Sequence, residues 1–460
     1  MLLNKALTDA LPVLQLLEQH GYEAVFVGGC VRDTVMERAL KDVDIATSAP
    51  PDQVVTIFPH TIPTGLKHGT VTVIYEGRTY EVTTYRTESA YENFRRPVKV
   101  EYVSDLESDL LRRDFTINAM AMRADGSIID PFGGQEDLTR GILRCVGDAD
   151  ARFQEDALRM VRAVRFAAEF RMRISIGTWR ALRRHQGLLA HVAMERIGSE
   201  FDKMISGANP QRAAAWMAAS GLLKHTKQPL PDALVRTADR KRKKMRCRTA
   251  ACKRPDVSGV EGIAGLSDTD ERWAALCLAI GMTHEESGEL FDIIRFSSAR
   301  SNRLQSVIRL HNHMGRPVIA SLKRGNVEDG QLHRDWINVI LQEGKSSSAS
   351  WLRIMYAVPF LLDLAAMEME KEYVPVDGQL SALLDKLSDE LQSVQAASLK
   401  ELAISGADVL RLLRKPAGPW LGQLLCDILR AVAFGDLPND RNRLLQIVSD
   451  RRKCGGSGTF

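Results

Sequence analysis

Residues 26–44, FVGGCVRDTVMERALKDVD, limit the possible folds more than any other stretch of the chain. The apolar run Val25 to Val27 predicts a short strand, which Gly28 and Gly29 break. Val31 to Leu40 predicts a helix, and Asp42-Val43-Asp44 the opening of a second strand. Side chains alternate along a strand, so Asp42 and Asp44 are expected on one face. Two carboxylates that close repel unless a cation lies between them. Oxygen ligands of this kind suit Mg2+, which completes its shell with waters and substrate phosphates. A glycine turn ahead of a helix offers backbone N–H groups to a phosphate, and Arg32 can clamp one of its oxygens. The stretch is therefore a candidate site for a nucleoside triphosphate and its metal. The plain alternative is a glycine turn and a surface strand that carries two aspartates.

A chain of 460 residues has room for about two to four domains. Hydrophobic residues make up 45% and charged residues 26%, the balance of a globular protein rather than a disordered one. The net charge of +4 does not diagnose nucleic-acid binding, so any basic surface must be local. The 7 cysteines are scattered and odd in number, which points to a reducing, cytoplasmic compartment instead of a disulfide framework. Cys247 and Cys252 have no neighbouring Cys or His to complete a zinc site. No apolar run is long enough to span a membrane. The N-terminal stretch contains Asp9, Gln15 and Glu18, so it predicts an amphipathic helix, capped by Asp9 with Pro12 in its first turn, instead of a signal peptide.

Residues 22–145 alternate strands and helices. Ser48-Ala49-Pro50-Pro51 predicts a helix start, with the helix running through Phe58. Residues 68–85 predict a hairpin turning at Glu76-Gly77-Arg78. Glu81 falls mid-strand there, either as a solvent-facing carboxylate or as a third acid beside Asp42 and Asp44, able to act as a base toward an attacking hydroxyl. Residues 86–110 are polar and mixed in charge, and predict a long mobile loop, functional or merely tolerated. In LLRRDFTINAMAM, residues 110–122, Arg113 could meet a triphosphate, while Asp114 and Asn118 could bond backbone or ribose hydroxyls. Asp130-Pro131-Phe132-Gly133-Gly134 predicts a turn before another helix.

Residues 147–170 predict one strong helix, with Phe153, Ala157, Met160, Val161, Val164 and Phe166 as its apolar side. Asp156, Arg159, Arg162 and Arg165 recur every three residues and share one drifting stripe. A solvated face would leave three arginines with a single nearby acid, whereas a triphosphate would give them partners. Asp accepts hydrogen bonds and Arg donates them. Cytosine and adenine each present a donor beside an acceptor, while uracil and guanine present the reverse order. An Asp–Arg pair therefore matches C and A and leaves polar groups unpaired against U and G, a mismatch that can discriminate by about 10⁴-fold. A protein helix would then do the work of a template.

From about residue 175 the pattern is helical almost to the end. Residues 195–201, ERIGSEF, predict a helix able to brace the preceding one. The run Arg236 to Arg254 is the strongest local charge bias, fitting either an RNA backbone contact or a solvated linker. Ala349 to Glu368 and Leu399 to Leu413 predict helices without catalytic clusters, and Gly455-Gly456-Ser457-Gly458 a flexible end.

The ordered set GGCVRD, DVD, YEVTTYR, RRDFTINAM, DPFGG, EDALRMVRAVRF and ERIGSEF, over roughly residues 20–205, resembles the bacterial class II tRNA nucleotidyltransferases, and among them the CCA-adding enzymes of the Bacillus type. The resemblance implies an elongated seahorse shape. Its α+β head (residues 1–145) has the polymerase-β-like nucleotidyltransferase fold, a small mixed sheet with helices. An all-α neck (146–205), body (206–330) and tail (331–452) follow, then a flexible end (453–460). It implies Asp42 and Asp44 as ligands of two Mg2+ ions, Glu81 completing the acidic set, Gly29, Arg32 and Arg113 on the phosphates and sugar, Asp156 and Arg159 reading the base, and Arg162 and Arg165 completing the pocket. The implied reaction adds CCA to the tRNA 3′ end from CTP and ATP with release of pyrophosphate, in the cytoplasm and away from membranes, as a monomer or a homodimer. In this family a shortened loop between the first motif blocks marks CC-only enzymes. The long segment 86–110 disfavours that and leaves an A-adding enzyme with a separate CC-adding partner as the alternative. Poly(A) polymerases and non-catalytic RNA-binding relatives are more distant alternatives.

Overall fold

Four consecutive apolar residues at 24–27 form a strand buried on both faces, and the first half of the chain is built around it. The computed structural model describes residues 4–65, 69–92, 96–236, 262–325, 329–362 and 377–453. The chain divides into two compact units, Met1–Arg246 and Cys247–Phe460.

The first unit opens with α1 (Lys5–Gln19), β1 (Ala24–Val27), α2 (Gly29–Val35), β2 (Asp44–Thr47), α3 (Pro51–Ile57), β3 (Thr61–Gly65), β4 (Thr70–Tyr75) and β5 (Arg78–Thr84). It continues through β6 (Arg86–Glu92), β7 (Arg96–Tyr102), α4 (Leu106–Leu111), β8 (Ala121–Met122), β9 (Ile128–Ile129), α5 (Gly134–Arg140) and β10 (Ile142–Leu143). Then come α6 (Ala149–Glu155), α7 (Leu158–Glu169), β11 (Arg173–Ile174), α8 (Ile176–His185), α9 (Met194–Ser206) and α10 (Pro210–Ser220). One sheet has the order β3-β4-β5-β2-β1-β8-β9, with β2 and β5 parallel and the other neighbours antiparallel. Alternation divides its core. Phe26 and Ile45 pack with Leu7, Leu14, Val54 and Val73 on one face, and Val25, Val27 and Ala46 pack with Leu106 and Leu110 on the other. This is the small mixed sheet of an α+β head, with helices after it.

Several expected elements differ. The N-terminal helix is capped by Asn4, whose side chain accepts from the Ala6 N–H at 2.7 Å, so Pro12 lies inside it rather than in its first turn. The helix expected over 31–40 is α2, which starts at the glycine turn and ends at Val35, with Met36 as its cap and Glu37 at φ 54°. The hairpin at 70–84 turns on Glu76 and Gly77, both at positive φ, as a two-residue turn requires. Residues 86–110 are not a long loop. They form the antiparallel pair β6–β7 and then α4, with Asp105 accepting from the Ser108 N–H to start the helix. β7 does alternate, with Val98, Val100 and Tyr102 at every second position, but the run is short and follows Pro97 among many charged residues, which read as a loop.

The single helix expected over 147–170 is two. Asp156 is extended (φ −138°, ψ 104°), ends α6, and accepts from the Leu158 N–H at 3.0 Å to start α7. The apolar periodicity runs on through this break, while the Asp side chain offers the backbone a competing partner.

The second unit is helical throughout its described residues: α11 (Thr269–Ala279), α12 (His284–Ile293), α13 (Ser298–Arg324), α14 (Gly330–Ala357), α15 (Asp377–Ser393), α16 (Gly406–Leu413), α17 (Pro419–Ala433) and α18 (Arg441–Lys453). α14 is interrupted at Gly344 (φ 84°). The helix expected from Leu399 starts instead at Gly406, where Ser405 and Asp408 form a capping box. Most of the basic run 236–254, the end of the helix expected over 349–368, and the glycine-rich terminus lie outside the described residues.

Candidate active site

Register brings the acidic residues together. β1 and β2 pair with Phe26 opposite Ile45, so the glycine turn that ends β1 meets Asp44 at the start of β2. The parallel β2–β5 pair sets Glu81 beside Asp44. Gly28 has φ 72°, and a Cβ there would stand 3.0 Å from Arg113 Nη1 and 3.9 Å from Asp44 Oδ2, so only glycine leaves the cradle open. Asp42 does not share the strand as expected. It precedes β2 and is exposed, because β1 has already turned away at Gly28 and offers residues 42 and 43 no ladder partner. Burial raises the Asp44 pKa first and Glu81 adds to this; Arg113 opposes the rise and Asp42 reinforces it. The net upward shift marks an anionic centre whose charge the protein compensates incompletely.

A cleft of about 1020 Å³ joins this centre to α7. Gly29, Arg32, Asp42, Asp44, Arg113, Asp156, Arg159, Arg162 and Arg165 all line it, and Glu81 stands beside it on an exposed strand position. Among the described residues no group of three or more His, Cys, Asp or Glu side chains is arranged to hold a metal ion.

Each arginine is anchored. Arg32 donates from Nε and Nη2 to Asp33 at 2.9 Å and from Nη1 to Asn118 at 2.6 Å. Arg113 pairs with Asp109 at 3.0 Å, and Arg112 pairs with the same carboxylate at 2.7 Å. Burial alone would raise the Asp109 pKa, but the two guanidinium groups outweigh it and hold it low. Arg162 donates to Asp114 at 2.8 Å. Burial pushes Asp114 up, yet Arg162, Asn118 and Arg159 bring it to about 2. Arg165 pairs with Glu200 at 2.7 Å and Glu169 at 2.9 Å. The stripe is therefore not a row of arginines with one acid. Asp114, Glu155, Glu169 and Glu200 partner it, two of them from distant segments.

The expected base-reading pair is brought to one cleft but not to each other. Arg159 donates to Glu155 at 2.7 Å and to the Arg112 carbonyl at 2.8 Å. The Asp156 carboxylate accepts from Arg196 at 2.7 Å. Sequence reading missed these holders. Glu155 lies four residues before Arg159, across the break between α6 and α7, and was visible as an i,i+4 pair. Arg196 is 40 residues from Asp156, with no local signal. The brace expected from residues 195–201 is α9, acting through Arg196 and Glu200.

A glycine turn and an acidic strand start on the mixed sheet thus share one cleft with an arginine-lined helix. Residues 24–144 match the family model of the poly A polymerase head domain, residues 171–232 that of the probable RNA and SrmB-binding site of polymerase A, and residues 364–448 that of a putative tRNA nucleotidyltransferase domain 2. The chain is 37% identical over 446 residues to the CCA-adding enzyme of Geobacillus stearothermophilus, covering 97% of each. It is 35% identical over 453 residues to that of Bacillus subtilis (strain 168), covering 98% of this chain and 100% of the relative. The crystal structure of the Bacillus stearothermophilus CCA-adding enzyme in complex with CTP superposes with a TM-score of 0.74 at 33% identity, covering 98% of this chain and 99% of that one. The chain belongs to the CCA-adding enzyme family, and it is a tRNA nucleotidyltransferase.

Proposed function

We propose that the cleft binds CTP and ATP in turn and extends the tRNA 3′ end to CCA, with Asp42 and Asp44 holding Mg2+. The observation that carries this reading is the juxtaposition of an undercompensated carboxylate, Asp44, with a glycine-lined cradle and an arginine-rich wall in one cleft. The donor chemistry fits the metal: two carboxylates supply hard oxygens, and nucleotide phosphates complete the shell. Held by Asp42 and Asp44, Mg2+ would supply Lewis-acid activation of the attacking hydroxyl and charge stabilisation of the departing oxygens.

The protein's own groups do the rest. The Gly28–Gly29 turn and the first turn of α2 present N–H groups to the phosphates; Arg32 and Arg113 bind their oxygens and the sugar. Asp156 accepts from the exocyclic amino group of cytosine or adenine, and Arg159 donates to the ring nitrogen beside it. Arg162 and Arg165 complete the pocket wall. Glu81, beside Asp44, completes the acidic set. The tRNA 3′-hydroxyl gives its proton to Glu81 and attacks the α-phosphorus in line, the bond from the α-phosphorus to the α–β bridging oxygen breaks, and pyrophosphate leaves with the bond's electron pair. The boundaries 1–145, 146–205, 206–330 and 331–452 are proposed as head, neck, body and tail, and the cytoplasm as the place of work.

The test is single-nucleotide extension of three tRNAs, ending before CCA, after the first C, and after CC. Each is incubated with Mg2+ and each nucleoside triphosphate singly, then with CTP and ATP together. Completion of CCA on the shortest substrate is expected. Addition of A alone, on the CC-ended substrate only, would replace this reading with an A-adding enzyme.

A further inference from the structure

Two aromatic rings at the end of α7 take no part in the chemistry above. Phe166 and Phe170 stack with centroids 5.7 Å apart and planes 14° from parallel, and Phe115 meets Phe166 edge-on at 5.8 Å. Both rings are nearly buried. Four guanidinium groups lie against them. Arg32 is 4.4 Å from the Phe170 centroid and 5.5 Å from that of Phe166, and Arg38 is 4.7 Å from Phe170. Arg165 is 4.0 Å and Arg162 5.2 Å from Phe166. An aromatic face is negative and attracts cations, most strongly where water is excluded. Arg32 comes from α2, whereas Arg162 and Arg165 come from α7. The stacked rings therefore link the phosphate side of the cleft to its base side.

We propose that the Phe166–Phe170 stack is a positioning element for nucleotide binding. Its faces fix the Arg32 guanidinium so that the two N–H groups not engaged by Asp33 and Asn118 face the triphosphate. They also hold the like-charged arginines at their spacing before the nucleotide arrives. The proposal rests on the assignment of Arg32 to the phosphates. The rings touch no reacting atom, so they act through Arg32. Preorganisation of this kind strengthens ground-state and transition-state binding alike, and its loss appears in KM rather than kcat. The triphosphate is common to CTP and ATP, so both should respond equally, and base choice should not change.

The experiment is steady-state single-nucleotide addition. Phe170→Leu is expected to raise KM for CTP and ATP alike by about five- to thirtyfold, with UTP and GTP still rejected. Phe170→Tyr keeps the aromatic face and should restore KM. Leucine also changes packing, so Phe170 is further replaced by phenylalanines carrying one to several ring fluorines, which keep the shape and drain the negative face. KM should climb with each added fluorine while the melting temperature holds. A flat KM across that series would overturn the proposal, as would a loss confined to kcat or to one nucleotide. Arg32→Ala, measured alongside, separates the two claims. Unchanged KM values there sink the phosphate assignment and the proposal with it. Raised values with a flat fluorine series sink only the aromatic role.

Discussion

Asp44 illustrates a residue kept against its own stability. Its pKa is raised by burial and by Glu81, so ionising it costs more in the folded chain than in the unfolded one. A carboxyl with a raised folded pKa loses stability as pH rises through that pKa. Asp44→Asn should therefore abolish transfer yet raise the melting temperature at neutral pH. Calorimetry across pH checks the sign, since the gain over the unaltered protein should vanish in acid. Asp42→Ala should lower transfer by roughly 10³-fold or more without unfolding the protein, given the several kcal/mol that metal ions contribute to such reactions. Substantial residual activity would remove it from the metal site. Arg159→Ala should relax the choice of CTP and ATP over UTP and GTP while metal binding stays intact. An unchanged preference would end the template assignment.

At the scale of elements, the break between α6 and α7 makes one carboxylate both a helix start and a candidate base reader. Asp156→Ala should cost about 1 kcal/mol of stability, as loss of a helix cap does, whereas Asp156→Asn retains the acceptor for the Leu158 N–H and should cost less. Thermal denaturation separates the two variants, and extension assays should show altered base choice in both. In the second unit, His311 on α13 is buried and accepts from the Trp351 indole N–H of α14 at 3.2 Å. Burial lowers its pKa to about 4. The neutral ring is the native form, so its contribution is complete above the unfolded pKa of about 6.5 and is lost as pH falls toward 4, on the order of 3 kcal/mol in all. Denaturant titrations at pH 7 and pH 5 should show about 2 kcal/mol of that loss, the rest appearing toward pH 4, and His311→Gln should flatten it. What the sequence made legible at this scale was local. The Glu76-Gly77 hairpin, the glycine turn and the arginine row each rest on residues a few positions apart. The β6–β7 pair was hidden because the short alternation of Val98, Val100 and Tyr102 sits among charged residues and a proline, and the α6–α7 break because apolar spacing continues through it. The carboxylates that partner the arginines were hidden for a different reason: Asp114 is 48 residues from Arg162 and Glu200 is 35 from Arg165. Only folding brings them near.

At the scale of the molecule, the residues lining the cleft all fall between 28 and 207, within the first unit, while the second unit has helices, caps and an apolar core of its own. With a net charge of only +4, tRNA binding must draw on local basic surface and so should be strongly salt-dependent. The tRNA KM should rise steeply between 50 and 200 mM salt, with log KM climbing linearly in log salt concentration in proportion to the phosphates contacted. A flat response in filter binding would show that the backbone is not what holds the tRNA. The scaffold also constrains what can be made of this enzyme. Because the Asp156 carboxylate holds the first turn of α7 and is held in turn by Arg196, the alphabet it is proposed to read is wired into the architecture. Exchanging that letter-reader would therefore disturb a helix start and a counter-charge along with the proposed spelling, and a variant that accepted UTP without losing stability would have to supply both anew.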